Sequence, residues 1–155
     1  VKAGGGLLVL GGNFTLGQGQ LKGTFLGDML PVTLAAAEAK DVRRAEKPLP
    51  LKKPAQSLAG SLPADLWKEP ACLYWRHLVQ PKPEARVELL AGSEPVLFSG
   101  SYGKGRVVVF TGTVLGEPAG QEQPFWQWSG WPLLMRSTLE WVVAADGAKG
   151  SPKGK

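Results

Sequence analysis

The chain is poor in the side chains that most often carry chemistry. Among 155 residues there is one cysteine, Cys72, and one histidine, His77. A single thiol excludes an intramolecular disulfide framework. One Cys with one His also falls short of the three or four ligands that protein zinc sites draw on, so neither a metal site nor a cofactor is expected. Apolar runs are short, none approaching the ~18 residues of a membrane span, and Val1 opens no signal-peptide pattern. Six Trp and five Phe, with several Val/Leu runs, argue for packed layers, whereas 21 Gly and 13 Pro point to long irregular connections. The length suits one core, read as a single domain over residues 1–147 followed by a disordered basic tail over 148–155.

The formal charge of +5 invites a nucleic-acid reading, but its location matters more than its size. Residues 40–53 carry six cations against Asp41 and Glu46, and the tail adds Lys149, Lys153 and Lys155. The remainder is slightly acidic. Both basic stretches read as solvated chain, a Pro-rich connector and a terminus, so nucleic acid is not an expected partner, and no membrane span is expected within this chain.

Along the chain, GGGLLVLGG at 4–12 reads as a strand buried on both faces, of the kind found in parallel or mixed sheets. Residues 25–30 offer one or two helical turns that Pro31 stops, and 32–34 a short strand. Residues 35–45, leading into Pro48, Pro50 and Pro54, read as a surface connector. From Ala71 the chain turns strand-like through ACLYWRHLV, and 85–90, 95–101 and 105–111 form an antiparallel meander. Within 105–111, Val107 and Val109 belong to one face, Val108 and Phe110 to the other. Ser129 or Gly130 starts a helix that buries Leu134, Thr138, Trp141, Val142 and Ala145, with Gly147 as its stop. A two-sided opening strand needs parallel neighbours. None is obvious later in the sequence, so they are expected before Val1 or from a partner chain.

The combination of GGGLLVLGG, GSYGKGRVVVFTGT (100–113) and PFWQWSGWPLL (124–134) resembles the class I glutamine amidotransferase-like superfamily. It is closest to the amidotransferase-like domains of large bacterial proteins, and more distantly similar to the trehalose-utilisation-like group. The resemblance implies an α/β, flavodoxin-like three-layer sandwich, present here as its C-terminal portion with an antiparallel β-meander and a C-terminal helix. Catalytic members place a Cys nucleophile on a sharp turn after a strand. Here that strand runs into Gly11, Gly12 and Asn13, with only Thr15 beyond, and the resemblance therefore implies the backbone geometry without the nucleophile.

Individual residues were weighed against plainer roles. Cys72 and His77, five apart in a strand, point to opposite faces and read as a buried, inert thiol and a sheet-surface or loop-contacting histidine. Glu84, Glu88 and Glu94 are near in sequence, yet carboxylates on strand faces are ordinary. The loop GGNFTLGQG (11–19) matches no nucleotide fingerprint and reads as a tight turn with Asn13 left-handed. Trp126, Trp128 and Trp131 either stack on a glycan or close the core. The expected function is a non-catalytic ligand- or protein-binding module with no catalytic residues. Its cleft lies at the strand ends, lined by Gly11, Gly12 and Asn13, with Thr111 and Thr113 as further candidates for its lining. Two alternatives stand beside it: an amidotransferase-like hydrolase whose nucleophile lies outside this chain, and a glycan-binding domain using the Trp cluster. Expected partners are a second copy or the N-terminal part of the same protein, together with a small molecule or glycan.

Overall fold

Runs rich in Val, Leu and Phe form the strands of the computed structural model, which describes residues 1–35, 40–69, 71–118 and 120–144. In chain order the elements are β1 (Gly6–Leu10), α1 (Phe25–Met29), β2 (Val32–Leu34), β3 (Val42–Lys52), β4 (Cys72–His77), β5 (Val79–Pro81), β6 (Arg86–Ala91), β7 (Glu94–Tyr102), β8 (Gly105–Phe110) and α2 (Gly130–Val143). The domain is mixed α/β. Six strands form one sheet in the order β1-β8-β7-β6-β3-β4, and β2 pairs with β5 separately.

The β6–β7–β8 meander is as the sequence reads it. Its hairpins turn through Gly92–Ser93 and Gly103–Lys104, and both glycines sit at φ 62°, the left-handed geometry that two-residue hairpins demand. In β8, Val107 and Val109 join a cluster with Leu16, Leu30, Val32, Leu34 and Phe98. Val108 and Phe110 face the opposite cluster, beneath Leu134 and Val142 of α2. Each such side chain contributes about 1.5–3 kcal/mol on burial, which makes β8 the central structural strand. Ser129 is the N-cap residue of α2, without a side-chain capping bond. Leu134, Thr138 and Val142 are buried as the helical spacing requires, while Ala145, Gly147 and the tail at 148–155 lie outside the described residues.

Two expectations are corrected. β1 is not buried on both faces: it lies at one end of the sheet order, its residues are half-exposed or exposed, and Leu10 is 45% exposed. Its parallel neighbour comes from this chain, because β1 pairs with β8 from Gly6↔Arg106 to Leu10↔Phe110. The supposed connector over 42–52 is also ordered, forming the 11-residue strand β3 between β4 and β6. Pro48 is accommodated because pairing with β4 is interrupted between Arg44↔Trp75 and Leu49↔Leu73, where Ala45–Pro48 loop out of register, while Pro50 sits opposite Cys72 and its carbonyl accepts from the Gly92 amide (2.8 Å).

The sheet also curls back on itself. Beyond β8, the Thr111 amide donates to Val96 of β7 (2.8 Å), its carbonyl accepts from the His77 amide (2.9 Å), and the Thr113 amide donates to Trp75 (3.0 Å). The Cys72 amide donates to Gln123 (2.7 Å). Residues 111–113 and 123 thus cover the outer edge of β4, which would otherwise expose a row of unpaired amides and carbonyls.

Candidate functional site

The loop after β1 leaves the sheet beside the end of β8, where the Gly11 amide donates to Phe110 (2.7 Å). Gly11 and Gly12 are half-buried and Asn13 is exposed, as a surface site requires. Next to them Phe14 is 78% exposed, a large apolar ring held in solvent. Thr111 and Thr113, 0% and 1% exposed, line no open cleft. The Thr111 hydroxyl donates to the Val96 carbonyl (3.2 Å), so it ties β7 to the segment after β8. The left-handed residue of the loop is not Asn13. Leu16 (φ 50°) and Gln20 (φ 55°) take that conformation, and Leu16 is fully buried.

Behind the loop lies a constellation assembled from three distant parts of the chain. His77, at the end of β4, brings Nδ1 to 2.6 Å from Asp41 Oδ2. Its Nε2 lies 2.8 Å from the Gly12 carbonyl oxygen and 3.2 Å from Thr15 Oγ1. The His77 and Asp41 side chains are completely buried. Asp41 Oδ2 and Oδ1 accept the amides of Gly17 and Gln18, each at 3.1 Å. A Cβ at Gly17 would stand 2.7 Å from that carboxylate, so glycine is what lets the backbone come close. These two bonds hold the turn on which Leu16 adopts its unfavourable conformation.

The hydrogen-bond partners place the protons. A carbonyl oxygen only accepts, so Nε2 at 2.8 Å from Gly12 carries a proton, whichever side of the short Nδ1···Oδ2 contact holds the other. The Thr15 hydroxyl accepts from the Gly12 amide (2.8 Å) and donates to the Gly12 carbonyl (3.1 Å). Thr15, His77 and Asp41 therefore stand in the order of a hydroxyl, imidazole and carboxylate triad. The lone pair that such a triad needs on Nε2 is absent, and its atoms are satisfied internally.

The other candidates separate. Cys72 and His77 lie on opposite faces of β4. Burial, reinforced by the Glu122 carboxylate, pushes the Cys72 thiol above its ordinary range, which keeps it protonated and unreactive. Glu84 is exposed, Glu94 pairs with Arg76 (3.3 Å), and Glu88 is buried against the Leu58 amide and the Ser99 hydroxyl. Trp128 is 3% exposed and packs on Trp67, with ring centroids 5.0 Å apart. Trp126 and Trp131 pack on Phe125 at 5.1 and 4.8 Å, so the cluster builds core. Among the described residues no three His, Cys, Asp or Glu side chains gather as a metal site, and no helix is long and apolar enough to cross a membrane.

Sequence reasoning missed Asp41 and the role of Thr15. A lone His invites a search for a carboxylate, but nothing in the spacing of Asp41, 36 residues upstream, singles it out.

A search of curated proteins finds no match. Solved structures that share the fold include two from Salmonella typhimurium. Cytoplasmic protein STM3548 from Salmonella typhimurium superposes with a TM-score of 0.75 at 21% identity, over 92% of this chain and 57% of that one. Cytoplasmic protein STM1381 from Salmonella typhimurium LT2 gives 0.72 at 20%, over 93% and 58%. This chain thus spans less than three-fifths of either. The family described as "putative glutamine amidotransferase" matches residues 1–144, nearly every residue from β1 to the end of α2, and the chain belongs to that family.

Proposed function

We propose that this domain is a non-catalytic recognition module built on the amidotransferase-like fold, with the loop Gly11–Phe14 as its contact surface. The supporting observation is the 2.8 Å contact between His77 Nε2 and the Gly12 carbonyl oxygen, which forms a hydrogen bond only if Nε2 carries the proton. An imidazole so engaged cannot take the Thr15 proton, and the constellation then acts as a pin that presents Asn13 and Phe14 outward. We read the fold as a flavodoxin-like three-layer sandwich. This reading is supported by the parallel β1/β8 pair, with α2 on one face and the Leu16–Leu34 segment on the other. The outer edge of β1, unpaired among the described residues, is where a strand from a second copy or a longer chain would add. Sedimentation showing a stable monomer without exposed apolar surface would count against that addition.

The test is an assay of glutamine, amide and ester hydrolysis by the protein and by Thr15→Ala and Cys72→Ser. The expected result is no turnover that either substitution removes. Hydrolysis lost in Thr15→Ala, retained in Thr15→Ser and accompanied by an unchanged fold would overturn the proposal. It would establish the second reading, a hydrolase, which the Thr15–His77–Asp41 order favours and which requires the imidazole to leave the Gly12 carbonyl. A nucleophile contributed from outside this chain would instead leave hydrolysis insensitive to Thr15 and dependent on His77.

A further inference from the structure

The basic run that reads as a solvated connector is carried on an ordered strand. There Arg43, Arg44 and Lys47 of β3 line a groove of about 600 Å³, with Arg76 of β4 and the apolar Leu49 and Leu78. Arg43 and Arg76 stand directly opposite one another in register. Like charges at opposed sheet positions repel, and here Glu94, at 3.3 Å from Arg76, offsets part of that repulsion. The Arg76 side chain is 16% exposed and that of Glu94 50%. The guanidinium is therefore fixed in the groove floor, while its carboxylate partner is the more replaceable member.

We propose that this groove binds an acidic peptide segment of a protein partner, whose carboxylates bridge Arg43, Arg44 and Arg76 while its apolar side chains rest on Leu49 and Leu78. Planar guanidinium forks donate paired hydrogen bonds to a carboxylate, and Leu78 offers a 42% exposed apolar surface beside them. A nucleic-acid strand fits less well. No aromatic side chain lines the groove for base stacking, and Glu46 and Glu94 interrupt the positive surface along which evenly spaced phosphates would run. A peptide can place its neutral residues at those points. The proposal is independent of what the Gly11–Phe14 loop contacts, since these side chains lie outside it.

Fluorescence anisotropy on the full chain tests the idea with three probes: a Glu/Leu peptide, the same peptide with Gln for Glu, and a single-stranded oligonucleotide of equal charge. The expected result is salt-sensitive binding of the first probe only. Arg43→Glu/Arg44→Glu, at two exposed positions that leave the fold intact, is expected to weaken it by about tenfold to a hundredfold. Lys149→Gln/Lys153→Gln/Lys155→Gln is expected to leave it unchanged. The proposal fails if the Glu/Leu peptide does not bind, if the Gln peptide binds equally, if the oligonucleotide binds more tightly, or if affinity follows the tail lysines instead of Arg43 and Arg44.

Discussion

Asp41 and Glu88 are both buried carboxylates, 2% and 3% exposed, and both accept backbone amides from a turn packed against the sheet. For Asp41 the amides are those of Gly17 and Gln18. For Glu88 it is Leu58, at 2.6 Å. Glu88 reaches inward because it lies between Val87↔Phe98 and Leu89↔Leu97, where β6 has one residue more than β7, a bulge that re-aims its side chain. The remaining partners differ. Asp41 meets an imidazole sealed from solvent, whereas Glu88 meets the Ser99 hydroxyl (2.5 Å) and, at 3.9 Å, a guanidinium that is 64% exposed. Both carboxylates are fully occupied, so burial of an acid here marks a clamped turn. The clamp beside β1 resembles a catalytic site only because its third member is histidine.

The contrast can be broken most decisively at Asp41. Asp41→Asn replaces the carboxylate that meets His77 Nδ1 and two backbone amides and turns an amide group toward those donors, and is expected to cost about 3–5 kcal/mol. The measurement is urea unfolding, with the double variant Asp41→Asn/His77→Gln recovering part of the loss. A cost below about 1 kcal/mol would mean that the clamp contributes little to the stability of the fold. Glu88→Gln leaves one donor facing an amide and is expected to cost about 1–3 kcal/mol by the same method. Thr15→Val breaks the contacts with Gly12 and His77 and is expected to cost about 1 kcal/mol, while Thr15→Ser stays near the parent protein. Arg86→Gln tests the weakest contact, and the unfolding free energy is expected to change by less than about 0.5 kcal/mol, because a 3.9 Å contact to an exposed guanidinium contributes little.

What was legible in the sequence was local. The meander, the two faces of β8 and the buried positions of α2 follow from spacing, because each depends on side chains within a few residues. β3 was illegible because Pro48 and Pro50 argue against a strand, and its order comes from β4 and β6 on either side. The half-exposure of β1 was hidden for a related reason: an apolar run states what a strand can bury, not how many layers are present to bury it. The clamp was the least legible, since Thr15, Asp41 and His77 meet only after β3, β4 and the loop behind β1 are in place.

The pairing of β1 with β8 joins residues such as Leu8 and Val108, which lie 100 positions apart. At a synthesis rate of ~5–20 residues per second, β1 waits about 5–20 s for its partner to be made. For all that time Leu7, Leu8 and Val9 have no strand beside them, while the β6–β7–β8 hairpins can close as they emerge. Of the six strands of the sheet, β1 therefore waits longest for its neighbour, and until β8 is made its apolar residues are open to other contacts.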